Sequence, residues 1–270
     1  MAASLVVKSV LAVFHASETV FCAASALVPA AAFVFAAGFY AKKRGGILYL
    51  CKFSPVYVLP SVMLAAGMFL GLGFLNGLIA DGVESIGGNA IETVIPLDTP
   101  FRYALFTVVL CVLPPIAEEL FFRGVLAECL SKTGQTAGVM TVALCFALYH
   151  GNLTQFIYQF VYGLGLGFLT LKARSLIPAV IAHFINNFAV LTVEYSGAFI
   201  DLYNPIIVAA GAICIAGFIA FTFFYGKKSD VNPADCGKTE SVKDFYIPFG
   251  IFGIVAFALA AVLSALPAVA

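Results

Sequence analysis

The sequence predicts an all-α fold, a polytopic integral membrane protein with about eight transmembrane helices. Three observations carry this. Only 10% of the 270 residues are charged and 62% are hydrophobic, whereas a soluble domain carries about 25% charged residues. Mean hydropathy is +1.05, and the apolar residues fall in long blocks rather than in the ten-residue alternations of a transmembrane barrel. Basic residues divide unevenly between alternate loops, as membrane topology requires. The formal net charge is zero, so nucleic acid is not an expected partner. The expected partner is the lipid bilayer, and the expected location is the cell membrane.

Residues 1–19 read as an N-terminal segment, short and amphipathic or loosely ordered. Lys8 followed by SVLAVFHAS resembles a signal peptide, but its apolar run is short. His15 within it reads as an interfacial side chain. Residues 20–270 read as a single transmembrane helical domain. Its first span runs from Val20 to Tyr40 and ends on the basic run Lys42, Lys43 and Arg44. The second, Val56 to Ala80, carries Gly67, Gly71, Gly73 and Gly77. Glycines four apart let helices approach closely, here toward a neighbouring helix or another protomer. No strand precedes them and no Lys–Ser/Thr follows, so they are not a nucleotide loop.

Asp81 to Arg102 reads as a polar loop containing Asp81, Glu84, Glu92 and Asp98. The third span starts near Tyr103. One helix over residues 103–130 would rise roughly 42 Å, longer than a ~30 Å hydrocarbon core. Pro114 and Pro115 lack backbone donors, so the sequence predicts one helix ending near Leu113 and a second starting at Pro115. Further spans are expected at Ala137–Tyr149, Leu153–Leu171, Ile177–Val193 and Pro205–Tyr225. A polar stretch, Gly226–Asp244, leads to a last span at Phe245–Leu266.

Alternating the loops assigns Lys42, Lys43, Arg44, Lys52, Lys132, Lys172, Arg174, Lys227, Lys228, Lys238 and Lys243 to one side. Only Lys8 and Arg102 fall on the other. The first side is then cytoplasmic. The seven cysteines, Cys22, Cys51, Cys111, Cys129, Cys145, Cys214 and Cys236, show no CxxC spacing and read as small buried hydrophobes.

The stretch PPIAEELFFRG, residues 114–124, places Glu118, Glu119 and Arg123 among apolar residues. A charge inside a membrane costs at least ~2.5–3.5 kcal/mol, which makes a functional site the default reading. Glu119 and Arg123 are four apart and can pair on one helix face. Glu118, about 100° round the helix, lacks that partner and is left to face a cavity. His183 and Asn187 also share a face, Phe146 lies one turn below His150, and Asn186 points elsewhere as a helix–helix hydrogen bonder. Read blandly, such groups only lock helices together.

Three blocks in order, Glu118-Glu119-Leu120-Phe121-Phe122-Arg123, then Phe146-Ala147-Leu148-Tyr149-His150, then His183-Phe184-Ile185-Asn186-Asn187, carry a resemblance. They look like the EExxxR, FxxxH and HxxxN pattern of the CAAX-protease and bacteriocin-processing family of intramembrane proteases, also called the abortive-infection family. The likeness covers residues 114–190, the expected catalytic core. It implies an eight-helix membrane fold that hydrolyses peptide bonds of membrane-anchored protein or peptide substrates, as in the CAAX prenyl endopeptidase. By the resemblance, Glu118 and His150 activate water, His183 and Asn187 stabilise the oxyanion, and Glu119 and Arg123 orient the site. No cofactor is expected. The alternative is a zinc-dependent protease with Glu118, His150 and His183 as ligands, in a chain without HExxH. Two other classes remain as readings: a non-enzymatic bacteriocin-immunity or scaffold protein on the same fold, and a proton-coupled transporter using the same acids and histidines as a relay. One expectation is awkward: span arithmetic leaves His150 near the outer end of a short helix and His183 about two turns from the inner end of its own.

Overall fold

The computed structural model describes residues 17–45, 47, 49–86, 95–130 and 134–225. Among them every regular element is helical, and six stretches are long and apolar enough to cross a membrane. The protein is a multi-pass integral membrane protein. His15, residues 1–16, the stretch 226–244 and the expected span at 245–266 lie outside the described residues.

Helix α1 is Glu18–Arg44. Ser17 caps it, accepting from the Val20 N–H at 3.4 Å. Lys42, Lys43 and Arg44 occupy its last turn, where cations complement the helix dipole. Gly45, at φ 83°, closes it with a hydrogen bond to the Ala41 carbonyl. A 3-10 turn, Pro55–Tyr57, leads into α2, Val58–Leu72, and α3, Phe74–Ser85, follows. The expected loop from Asp81 is therefore partly helix: Asp81 and Glu84 lie on α3.

Gly67 and Gly71 of α2 are used within the chain. A Cβ on Gly67 or Gly71 would collide with Ile215 or Gly211 of α8, Pro205–Ala220. In lipid no hydrophobic drive pushes helices together, so close backbone approach supplies the attraction instead.

Helix α4 corrects the expected break at Pro114–Pro115, because one stretch, Pro100–Cys129, runs through it. Thr99 caps the start and Pro100 occupies the first turn. Two wide π-helical segments, Thr107–Val112 and Leu120–Leu126, bracket an α-helical Leu113–Glu119. The first wide turn sends the Leu113 N–H to the Val108 carbonyl, five residues back. Widening the helix ahead of the prolines lets it continue where a regular α-helix would clash with their rings. The helices α5, Gln135–His150, α6, Phe156–Ala173, and α7, Ile177–Ser196, complete the described bundle, and α8 runs on into a π turn, Phe221–Tyr225.

At one end of the bundle the loop after α1 meets the α6–α7 turn. The Leu176 N–H donates to the Tyr49 carbonyl, the Ser175 hydroxyl to the Cys51 carbonyl at 2.7 Å, and the Tyr57 hydroxyl to the Lys172 carbonyl at 2.9 Å. These bonds gather Lys52, Lys172 and Arg174 at one end. Around the perimeter, large apolar side chains such as Phe35, Phe39, Ile206 and Ile213 are exposed, as a lipid solvent favours. None of the six described cysteines forms a disulfide; Cys22 and Cys111 are buried and Cys129 is exposed.

Candidate active site

The site is assembled where α4, α5, α6 and α7 meet. Helix α4 brings Glu118 and Glu119 at the end of its α-helical segment and Arg123 one turn on, all three buried. Arg123 Nη1 donates to Glu119 Oε1 at 2.8 Å, so the pairing read from the spacing is present. Arg123 Nη2 donates to the Gly163 carbonyl at 3.3 Å. The guanidinium also lies 4.4 Å from the centre of the Phe146 ring, an attraction between a cation and a π face. Burying such a pair is costly, and the Gly163 carbonyl and the Phe146 ring offset part of that cost.

Helix α7 brings His183, also buried. Its Nδ1 lies 2.9 Å from Glu119 Oε1. A carboxylate paired with a guanidinium accepts, so Nδ1 donates. Its Nε2 faces Glu118 Oε2 at 3.8 Å. Glu118 Oε2, Glu119 Oε2 and Arg123 Nε have no hydrogen-bond partner among the described residues. The adjacent carboxylates still differ: Glu119 Oε1 serves both Arg123 and His183, whereas Glu118 faces His183 Nε2 at 3.8 Å, beyond hydrogen-bond distance.

Helix α5 brings both histidines against one aromatic ring. Sixteen residues rise roughly 24 Å, short of the ~30 Å core. The helix ends on His150, where Gly151 turns the chain at φ 60°. Phe146, fully buried, packs edge-on against both imidazoles, with ring centres 4.6 Å from His150 and 5.8 Å from His183. His150 Nδ1 is 2.8 Å from the Phe146 carbonyl. A carbonyl only accepts, so Nδ1 carries the proton and Nε2 keeps its lone pair. Gly163 lets α6 press against Ala143 and Phe146 of α5, and the same residue lends Arg123 its carbonyl.

Asn187, half-buried on α7, is turned toward α4. Its Nδ2 donates to the Leu110 carbonyl at 3.2 Å. Asn186 is a helix–helix hydrogen bonder: its Oδ1 accepts from the Tyr158 hydroxyl of α6. Glu118, Glu119, Arg123 and His183 thus form one directly contacting cluster, and His150 joins it through Phe146. Asn187 adjoins it one helical turn beyond His183, alongside a cavity of about 430 Å³ lined by Leu110, Tyr158, Asn186 and Asn187 among others. Sequence reasoning missed Gly163, Tyr158 and Tyr162, whose ring stands 5.9 Å from His183. The small-residue run Gly163, Gly165 and Gly167 was the available signal for the first.

Zinc is the alternative that the residue types leave open. Among the described residues, no three His, Cys, Asp or Glu side chains converge as a metal site needs.

Residues 100–189 match the family described as Type II CAAX prenyl endopeptidase Rce1-like. The chain carries a CAAX-protease-family domain. The matched stretch of this Rce1-like domain spans α4 to α7 and contains all six residues singled out from the sequence. No curated protein and no solved structure matches the chain.

Proposed function

We propose that the protein is an intramembrane endopeptidase in which Glu118, assisted by His150, draws a proton from a water molecule that attacks the substrate's peptide carbonyl. The supporting observation is the asymmetry of the two carboxylates. Glu119 Oε1 is shared between Arg123 and His183, whereas Glu118 meets His183 Nε2 only at 3.8 Å. His150, with its proton fixed on Nδ1 by the Phe146 carbonyl, offers Nε2 as an acceptor, which suits a base. Glu119 and Arg123 orient the cluster.

The tetrahedral oxyanion is stabilised by His183 and Asn187. For His183 Nε2 to donate, the ring must hold both protons. Asn187 contributes the amide hydrogen that Leu110 does not take. When the intermediate collapses, the proton taken from water passes to the leaving amine, and the products are a carboxylate and an amine. Fixed donors in a water-poor site are worth far more than in water. The family description points to a prenylated CAAX terminus as the first substrate class to try.

The test compares new peptide termini in membranes of cells producing wild type, Glu118→Ala or His150→Ala, with metal analysis of each purified protein. The expected result is a set of cleavage products in wild type that both variants lack, at equal protein levels and without stoichiometric zinc. Products that persist in Glu118→Ala would remove this reading.

A further inference from the structure

The Leu110 carbonyl has an unusual problem. In an α-helix it would accept from the N–H of residue 114, and in a π turn from that of residue 115. Both are proline, and neither has an N–H to give. An acceptor left bare in dry surroundings is costly. The bond comes instead from another helix, as Asn187 Nδ2 donates to it at 3.2 Å.

A carboxamide is nearly symmetric in shape, with an acceptor at one end and two donor hydrogens at the other. Only its partners decide which end points where. For Asn187 the partners agree. A flip would set Oδ1 against the Leu110 carbonyl, acceptor to acceptor. At the other end, Asn187 Oδ1 accepts from Asn186 Nδ2 at 3.5 Å. Asn186 presents its Nδ2 because its own Oδ1 is taken by the Tyr158 hydroxyl, which donates at 2.5 Å. The donors and acceptors run in one direction: Tyr158 to Asn186, Asn186 to Asn187, Asn187 to Leu110. Tyr158 and Asn186 are both buried, and all four residues line the same cavity.

We infer that Tyr158 and Asn186 are positioning residues that fix the amide orientation of Asn187, and that the Pro114–Pro115 pair creates the acceptor that locks it. This deepens the hydrolytic reading and rests on it for its catalytic consequence. Of the two amide hydrogens of Asn187, one goes to Leu110 and the other is held outward for the oxyanion. The prolines that a sequence reading takes as a helix break act instead as part of the site's scaffold.

The test uses the full chain in nanodiscs, read in two ways. One is the side-chain amide spectrum of protein labelled with ¹⁵N-asparagine. The other is cleavage of a quenched peptide ending in a farnesylated CAAX sequence. Tyr158→Phe is expected to shift the Asn187 amide signal and to lower kcat about tenfold with KM unchanged, the loss of one oriented hydrogen bond. Pro114→Ala returns an N–H able to reach Leu110. It is expected to raise the melting temperature yet lower kcat by a similar factor, because Asn187 is released. A role in packing alone predicts the opposite for Pro114→Ala, with activity intact or improved. An unmoved Asn187 signal in Tyr158→Phe would overturn the inference whether or not the peptide is cut. Glu118→Ala, run alongside, tests the hydrolytic reading separately: cleavage surviving there removes that reading and leaves the amide spectrum to decide the relay.

Discussion

Two of the seams between the described helices are built in opposite ways. Where α2 meets α8, Gly67 and Gly71 lie against Gly211 and Ile215, backbone close to backbone. Where α4 meets α5, α6 and α7, the contact is made by Glu118, Glu119, Arg123, His183 and the Phe146 ring. The glycine seam gains its attraction from proximity alone. The polar seam is held by charge-assisted hydrogen bonds and still leaves Glu118 Oε2, Glu119 Oε2 and Arg123 Nε without partners among the described residues. The difference separates structure from chemistry. A glycine seam tolerates no insertion and offers nothing to a substrate, whereas a polar seam with an unengaged carboxylate oxygen has capacity left to move a proton.

The largest effect expected from breaking this contrast is at Glu118. Glu118→Ala should lower the cleavage rate by about 10²–10⁴-fold, the usual contribution of a general base, and leave the melting temperature near that of wild type. Enzyme kinetics and a thermal melt on one preparation check both halves. Glu119→Ala should instead destabilise the fold by about 3–5 kcal/mol, because it strands a buried guanidinium; unfolding in detergent reads this directly. The neighbouring carboxylates thus separate activity from stability, and equal melting losses in the two variants would erase the distinction.

The glycine seam should respond to bulk alone. A Cβ on Gly211 would meet the Gly71 backbone, so Gly211→Ala should cost about 1–3 kcal/mol, as overpacking does, with activity per folded molecule unchanged. The smallest effect is expected at the lipid-facing surface. Phe35, 77% exposed, should tolerate Phe35→Ala within about 0.5 kcal/mol, and a melt within error of wild type checks it.

Most of the helical architecture was legible because lipid imposes length and composition on every span. The pairing of Glu119 with Arg123 was legible because four residues make one helical turn. What escaped was relational. The prolines at 114 and 115 remove donors, but nothing local to α4 shows that a widened turn and a side chain from α7 compensate. The glycines of α2 announce a close neighbour without naming it, and only the fold identifies α8. The depths of His150 and His183 disagreed on span arithmetic alone, which does not show that Phe146 of α5 packs against both rings. Gly163 shows how a backbone atom enters a site, through a carbonyl that no motif of side chains records.

The central claim is that Glu118 activates the attacking water. The most direct measurement is a single-turnover cleavage of a farnesylated CAAX peptide by the purified protein in ¹⁸O-water, wild type beside Glu118→Ala, with and without a zinc chelator. The account predicts one ¹⁸O atom in the new peptide carboxylate, none in the protein, no effect of the chelator and no product from Glu118→Ala. Product from Glu118→Ala at the wild-type rate, or label arriving in the Glu118 side chain, would contradict it.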